Sequence, residues 1–358
     1  MPICDRSRIR PDVLKLMDGL LKEQTTGIME FLKAKDNQGF NFPALYQRLM
    51  KGNELFFKNK GASTAGDWAS YFKKDEMLFL ARVFRFGFDH VSNMDQKTHP
   101  IPKNVNVEAT NAGGVSAEWQ TVPGAGKDRV ILYLHGGGFI MGSPNSHRLL
   151  TVALGQLTKL RLLSLNYRLA PEHPHPAPLE DCTAAYKWLL STGITPKNIV
   201  IAGDSAGGNL TLTTLVKLRN DKVPLPAGAV CLSPLTDHTG SSDSFWKNAV
   251  TDPLLADTGL FWWGPAYLAG TDPRDPLVSP VYADLKGLPP LLFQASTTEM
   301  LFDDSRRMAE RAKAAGVNAT LQTWKDMVHV FQGFGLNDLP EAKEAINKIA
   351  EFIQKLYK

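Results

Sequence analysis

The chain contains 358 residues, of which 43% are hydrophobic, and carries a formal net charge of +4 at pH 7. That apolar content suffices for a substantial core, and the small charge without a Lys/Arg block argues against a nucleic-acid-binding protein. No uninterrupted apolar stretch approaches the ~20 residues of a membrane helix, so stable membrane insertion is not expected. Three widely separated cysteines, Cys4, Cys182 and Cys231, lack metal-binding spacing and predict free thiols in a reducing compartment.

Residues 1–98, called the leader below, are predicted to be rich in helix. Val13, Leu16, Met17 and Leu20 recur on one helical face. Charged side chains interrupt the first thirty residues, which leaves no apolar core for a signal peptide, so a cytoplasmic location is expected. The aromatic stretch 79–88 also allows an interpretation in which the leader contacts a membrane surface or a second copy of the chain.

Strand-like and helix-like patterns alternate from about residue 104 onward. Strands alternating with helices indicate an α/β protein with a mostly parallel sheet that is covered by helices on both faces. The pattern predicts helices at 179–191 and 305–315 and a final amphipathic helix with Ile346, Ile349 and Ile353 on one face. The eight predicted strands lie at 105–109, 115–122, 129–134, 160–166, 198–202, 227–233, 290–295 and 319–324.

A turn of three glycines follows the third predicted strand, in the sequence His135-Gly-Gly-Gly-Phe139. Such a turn can present successive backbone N–H groups without side chains in the way, and acyl transfer needs donors about 3 Å from the oxyanion. We expect the N–H groups of Gly137, Gly138 and Ala206 to form this oxyanion hole. His135 precedes the glycines and is expected to orient the turn by hydrogen bonding rather than to transfer a proton.

A second turn, Gly203-Asp-Ser-Ala-Gly207, lies between an apolar run at 198–202 and a helix-compatible run. The pattern G-x-S-x-G in this strand–turn–helix setting is a nucleophile elbow, in which the serine is held in a strained conformation. Side chains at Gly203 and Gly207 would collide with neighbouring backbone. The pattern therefore predicts Ser205 as a catalytic nucleophile, with the N-terminus of the next helix beside any negative charge that develops.

Both turns resemble those of the hormone-sensitive-lipase family of α/β-hydrolases, also known as family IV of bacterial esterases. The intervening stretch Leu165-Asn-Tyr-Arg-Leu-Ala-Pro-Glu-His-Pro174 is similar to the family, as are Asp275-Pro-Leu-Val-Ser-Pro280 and Glu299-Met-Leu-Phe-Asp-Asp-Ser305. The resemblance covers about residues 100–358. It implies an α/β-hydrolase fold and hydrolysis of carboxylic esters with small or medium acyl groups, without a cofactor.

In this fold the chain order of the triad is nucleophile, acid, histidine. His329 follows the last predicted strand and is the only histidine after position 238, which makes it the predicted general base. An imidazole with an unperturbed pKa of about 6.5 can take the Ser205 proton and return it to the leaving alcohol. Every other histidine lies in the leader, before the nucleophile, or before every candidate for the acid.

The acid of the triad is expected after the seventh predicted strand. Glu299 is nearest the end of that strand and matches the family's acid position, where many members carry aspartate. Asp303 and Asp304 come a turn later and fit better as first-turn carboxylates of a helix, which the helix dipole favours. Asp326 lies three residues before His329 and is interpreted as a loop-turn residue. Glu299 is therefore expected to hold His329 in one tautomer and to stabilise its charged form.

Two segments fall outside the predicted sheet: the leader and residues 235–270, called the inserted segment below. The inserted segment contains Phe245-Trp246 and Phe261-Trp262-Trp263, and the leader is also rich in aromatic residues. We expect the two segments to pack together as a helical cap over Ser205, with residues 99–234 and 271–358 forming the hydrolase core. The aromatic side chains then either line an apolar acyl pocket or only attach the cap to the core.

The sequence as a whole predicts a serine carboxylesterase with a Ser-His-Glu triad that acts on short- to medium-chain esters. An amidase or lactamase would use the same triad, and the leaving-group pocket distinguishes the two. A ligand-binding receptor is a third alternative, because plant hormone receptors resembling this family keep the serine but lack the histidine. The presence of both Ser205 and His329 argues for an enzyme. The expected binding partner is a small-molecule ester. A homodimer is suggested only by analogy with relatives.

Overall fold

A computed structural model describes residues 3–37, 39–58, 72–259 and 263–357. Within these residues, eight strands form one sheet, as predicted from the sequence. The strands are β1 (Asn106–Ala112), β2 (Val115–Thr121), β3 (Val130–Leu134), β4 (Arg161–Leu165), β5 (Ile199–Asp204), β6 (Gly228–Leu232), β7 (Leu291–Ser296) and β8 (Ala319–Trp324). Their spatial order is β1-β2-β4-β3-β5-β6-β7-β8, with β2 antiparallel to both neighbours and every later pair parallel.

The central strands are mostly apolar because helices cover both faces of the sheet. Every residue of β3, β5, β6 and β7 is buried. Alternate residues of β3 face opposite layers of the core: Leu132 contributes to one hydrophobic cluster, whereas Ile131 and Tyr133 contribute to another. This arrangement leaves the carboxyl ends of the parallel strands as the edge at which the loops converge.

The helices predicted in the hydrolase core are present, with boundaries that differ from the prediction by up to three residues. The helix predicted at 179–191 begins at Ala177, and the one predicted at 305–315 begins at Phe302. The helices are α1 (Pro11–Lys33), α2 (Phe42–Lys58), α3 (Lys74–Thr98), α4 (Arg148–Thr158), α5 (Ala177–Ser191), α6 (Ala206–Asn220), α7 (Asp243–Lys247), α8 (Trp263–Leu268), α9 (Phe302–Ala314), α10 (Phe331–Phe334) and α11 (Pro340–Lys355).

The leader packs against the core at two places. Val13 and Met17 of α1 lie in a buried cluster with Trp324 and Phe331, near the carboxyl end of β8. In the aromatic stretch of α3, Phe79, Leu80, Val83 and Phe84 are buried, whereas Phe86 is 42% exposed. The stretch 79–88 therefore does not present one exposed apolar face of the kind that the membrane-surface interpretation needs. Among the described helices, none combines the length and apolar character that crossing a membrane requires.

The three cysteines are all unpaired and buried, as expected for free thiols. Burial raises the pKa of the Cys4 thiol to about 12 and that of Cys231 well above its usual range. Buried thiols of this kind are unreactive at neutral pH, because the thiolate is the nucleophilic form.

Candidate active site

Ser205 lies at the turn between β5 and α6, with φ 52° and ψ −117°. A positive φ is rare for a residue with a side chain, and such strain costs on the order of 1–3 kcal/mol. The glycines on either side are needed because a Cβ at Gly203 would lie 2.4 Å from the Gly207 carbonyl oxygen, and one at Gly207 would lie 1.9 Å from the Leu134 carbonyl oxygen. The backbone N–H of Ser205 donates to Leu232 O at 2.8 Å, which ties the elbow to β6.

The triple-glycine turn lies beside this elbow. Gly137 and Gly138 have φ of 117° and 62°, and a Cβ at Gly137 would lie 2.3 Å from the Met141 carbonyl oxygen, so the turn needs glycine there. Within the described part of the chain, no protein group accepts a hydrogen bond from the N–H of Gly137, Gly138 or Ala206. These three donors are therefore available to a bound oxyanion.

A buried carboxylate fastens the two turns together. Asp204 accepts hydrogen bonds from the Tyr133 hydroxyl at 2.7 Å and from the Gly136 N–H at 3.0 Å, and its second oxygen lies 3.3 Å from His147 Nε2. Burial acts to raise the pKa of Asp204, but the facing His147 and the hydrogen bond from Tyr133 outweigh it and lower the pKa below its usual value. No sequence signal pointed to this role, because Asp204 occupies the first of the two variable positions of the elbow pattern.

His135 supports the turn in the way expected from its position. Its ring stacks on Tyr167 with centroids 4.2 Å apart, and its carbonyl oxygen accepts a hydrogen bond from the Tyr167 hydroxyl at 2.6 Å. Burial lowers the pKa of His135 to about 3, so the ring is neutral at physiological pH. Its Nδ1 lies 2.8 Å from Gly136 O, within the turn itself.

Helix α3 of the leader contacts the loop that continues from the glycine turn. The Arg85 guanidinium donates to Ile140 O at 2.5 Å and to Ala170 O at 2.8 Å, and it pairs with Glu172 at 2.7 Å. These contacts join the loops after β3 and β4 to the leader. No sequence pattern pointed to Arg85, because its partners, two carbonyl groups and the Glu172 carboxylate, belong to distant loops.

His329 lies in the loop after β8, beside Glu299 at the end of β7. Its Nδ1 is 3.4 Å from Glu299 Oε2, and both side chains are buried. This separation is longer than a normal hydrogen bond. Burial raises the pKa of Glu299 despite the neighbouring His329. Burial acts to lower the pKa of His329, but the Glu299 carboxylate outweighs it and the net shift is upward.

Asp303 and Asp304 lie apart from His329. Asp303 accepts hydrogen bonds from Ser244 N at 2.9 Å and from Arg306 Nε at 2.8 Å. Asp304 accepts from the backbone N–H groups of Thr236 at 2.5 Å and of Asp237 at 3.0 Å. Both residues are in the first turn of α9, as expected; Asp303 binds α7 and Asp304 binds the loop after β6, and neither binds His329.

Asp326 also lies apart from the His329–Glu299 pair. It has φ 59°, and its carboxylate is 3.7 Å from Lys325 Nζ. Of the four carboxylates considered, the structure brings only Glu299 to the imidazole.

The leader and the inserted segment contact each other. The Phe56 ring of α2 lies 5.4 Å from Trp246 and 6.1 Å from Phe245, and Asn53 Nδ2 donates to Ala256 O at 2.6 Å. These contacts use aromatic residues that were predicted to belong to a cap. Phe261, Trp262 and the side chain of Trp263 lie outside the described residues, so the expected role of that aromatic group stays a prediction.

Two further residues near the His329–Glu299 pair carried no sequence signal. The Ser233 hydroxyl donates to Glu299 Oε2 at 2.8 Å. Asp252 of the inserted segment is buried, and its carboxylate accepts hydrogen bonds from the N–H groups of Met300 at 2.9 Å and Leu255 at 3.0 Å. The partners of Ser233 lie 66 and 97 positions away, and Met300 lies 48 positions from Asp252. Neither Ser233 nor Asp252 therefore belongs to a recognisable sequence pattern.

Comparison with known proteins agrees with this geometry. Residues 131–333 match the model of a family described as having the alpha/beta hydrolase fold. An acetyl-hydrolase of Streptomyces hygroscopicus is 42% identical over 69% of this chain and 82% of its own length. An esterase of Acinetobacter venetianus is 38% identical over 74% of this chain and 87% of its own length.

Among solved structures, an esterase from the bacterial hormone-sensitive lipase family aligns with a TM-score of 0.74 and 41% identity. The alignment covers 88% of this chain and 99% of that one. The residues matched by the family model include the elbow, the glycine turn and the His329 loop. The chain therefore belongs to the bacterial hormone-sensitive lipase family of the α/β-hydrolase fold.

Proposed function

We propose that the protein is a serine carboxylesterase that hydrolyses short- to medium-chain esters through an acyl-enzyme on Ser205. The observation that carries this proposal is the buried His329–Glu299 pair, with Nδ1 and Oε2 3.4 Å apart, at the same sheet edge as the strained Ser205 elbow. Relatives named as an esterase and an acetyl-hydrolase support ester hydrolysis over other reactions of the fold.

In the proposed reaction, His329 takes the Ser205 proton through its Nε2 while the serine oxygen attacks the ester carbonyl. No described residue hydrogen-bonds to this Nε2, which leaves it free for the serine and the leaving group. The N–H groups of Gly137, Gly138 and Ala206 stabilise the oxyanion. The alcohol leaves with a proton from His329, and water activated by the same imidazole then releases the acid.

Glu299 is proposed to hold the Nδ1–H tautomer of His329 and to stabilise the imidazolium as it forms. Its burial matters for this role, because a carboxylate shielded from water interacts more strongly with the imidazolium. We further propose that the leader and the inserted segment form a cap over the site. The contacts of Phe56 with Phe245 and of Arg85 with the loop after the glycine turn support this arrangement. The three unpaired cysteines favour a reducing compartment, and we propose the cytoplasm.

The test is the initial rate on p-nitrophenyl esters from acetate to palmitate, measured side by side for the wild type and Ser205→Ala. We expect a rate that depends on Ser205 and falls beyond medium chain lengths, with a loss of several orders of magnitude in kcat for the variant. Mass spectrometry of the quenched reaction should find the acyl group on the wild type alone.

Equal rates for the wild type and Ser205→Ala would exclude the proposed nucleophile. Folded wild-type protein without any Ser205-dependent rate on esters would reject the esterase proposal, and a panel of anilides would then test amide hydrolysis.

A further inference from the structure

Ser233 occupies the position directly after β6, at the junction of the two loops that carry Glu299 and His329. Its side chain is fully buried, and its hydroxyl donates to Glu299 Oε2 at 2.8 Å. The same hydroxyl oxygen accepts a hydrogen bond from the backbone N–H of Val330 at 3.3 Å. One oxygen atom therefore contacts both the carboxylate and the residue that follows the imidazole.

The backbone at both ends of this contact is strained. Ser233 has φ 44° and Val330 has φ 54°, and a positive φ is a marked outlier for a β-branched residue such as valine. Strained residues persist when the surrounding contacts hold them, and they cluster at functional sites. The backbone N–H of Ser233 donates to Gln294 O at 2.7 Å, which fixes the serine to the neighbouring strand β7.

The Glu299 carboxylate has few other partners. Within the described residues, its second oxygen, Oε1, has no hydrogen-bond partner, and His329 Nδ1 is 3.4 Å from Oε2. The charged groups that face the pair are Asp252, from the inserted segment, and Asp204, which acts on the imidazole from β5. Asp252 is acidic and therefore disfavours the ionised form of Glu299. Among the described residues, the Ser233 hydroxyl joins the facing His329 ring as a group whose hydrogen bond favours that form.

We propose that Ser233 is a positioning residue for the reaction, whose hydroxyl keeps Glu299 ionised and holds the His329 loop against it. The inference rests on the proposed function of His329 and Glu299. A hydroxyl donated to a buried carboxylate stabilises its charged form, which is the form that can orient and stabilise the imidazolium. Without this hydroxyl, the pKa of Glu299 is expected to rise.

Ser296 provides a matched control. It is also fully buried, it ends the neighbouring strand β7, and its hydroxyl likewise anchors the histidine loop, donating to Met327 O at 2.8 Å and accepting from Met327 N at 3.2 Å. Its hydroxyl lies 2.8 Å from Thr298 Oγ1 and contacts no charged group. Ser296→Ala therefore removes a loop anchor without removing a donor from Glu299.

The experiment compares the pH dependence of kcat/KM on p-nitrophenyl butyrate for the wild type, Ser233→Ala, Ser233→Gly and Ser296→Ala. The glycine variant lacks the hydroxyl but tolerates the positive φ, so it separates the hydroxyl from backbone strain. In both Ser233 variants we expect the acid limb to move up by about one pH unit, because the pair binds a proton more tightly without the hydroxyl. The plateau should fall by about tenfold.

In Ser296→Ala the acid limb should stay at the wild-type position. An acid limb that is unshifted in both Ser233 variants, or shifted equally in Ser296→Ala, would overturn the inference. If the wild type shows no Ser205-dependent turnover, the proposed function fails, and a second measurement decides the role of Ser233. That measurement is the NMR titration of the His329 ring, assigned with a His329→Gln variant, in the wild type and Ser233→Gly. An unchanged His329 pKa would then reject the role of Ser233.

Discussion

The Asp204 carboxylate offers a direct test of how the glycine turn is held in place. Asp204→Ala removes the acceptor of two hydrogen bonds, from the Tyr133 hydroxyl at 2.7 Å and the Gly136 N–H at 3.0 Å, in a fully buried setting. Each donor left unpaired in the interior costs about 1–3 kcal/mol, and the Gly136 N–H keeps only a 3.3 Å contact with His147 Nε2, so the free energy of unfolding should fall by about 2–6 kcal/mol. That is a large share of the stability of a typical domain, about 5–15 kcal/mol.

Two further variants provide reference values for the loss of stability expected in Asp204→Ala. Asp204→Asn keeps an oxygen that can accept from Tyr133 and Gly136, so we expect a smaller loss of about 1–2 kcal/mol. Tyr133→Phe removes one donor and leaves the Gly136 hydrogen bond, with an expected loss of about 1 kcal/mol. Activity should follow the same order, because a shift of about 1 Å in the oxyanion donors can lower kcat about a hundredfold.

The assay is urea unfolding at pH 7 together with kcat on p-nitrophenyl butyrate for all three variants. The activities are compared only among variants that are mostly folded at low urea. A loss in Asp204→Ala no larger than that in Tyr133→Phe would show that the carboxylate does not hold the turn. Wild-type kcat in a destabilised Asp204→Ala would show that the turn keeps its shape without it.

Two further predictions concern the other carboxylates. Glu299→Gln should lower kcat on p-nitrophenyl butyrate by about a hundredfold or more, whereas Asp303→Asn should change it by less than about tenfold; the reverse order would move the acid to α9. Burial raises the pKa of Asp304 to about 7, so between about pH 4 and 7 the folded state keeps a proton that the unfolded state has released. The free energy of unfolding should therefore fall as the pH rises through this range. Urea titrations at several pH values should find this fall reduced in Asp304→Asn, and an identical slope in the variant would refute the assignment.

The parts of the site that the sequence predicts are those that depend on local chemistry. Gly203 and Gly207 are needed because of clashes with backbone atoms within a few ångströms, so their pattern is visible in five residues. The strands are predictable because burial on both faces demands continuous apolar runs. The position of His329 follows from chain order once the last strand is recognised.

The supporting contacts are not predictable in this way. Asp204 binds Tyr133, 71 positions away, and Ser233 binds Glu299, 66 positions away. Serine and aspartate at the ends of strands are common, and their side-chain partners depend on which loops the sheet order brings together. Asp304 illustrates the difference, because its place in the first turn of a helix was expected but its burial against Thr236 was not.

The packing of α1 against the last part of the core has a consequence for folding. Met17 shares a buried cluster with Phe331 and Ala345, and Arg10 pairs with Glu341 at 2.5 Å. The second half of α1 packs against α3, with the Phe31 and Phe79 rings 6.2 Å apart, whereas Phe331 and Ala345 lie more than three hundred positions after Met17. Contacts of such long sequence separation form late and slowly. Because the same cluster borders the His329 loop, the proposed enzymatic activity would appear only after α1 has docked on the last part of the core, so the onset of turnover would report this late contact.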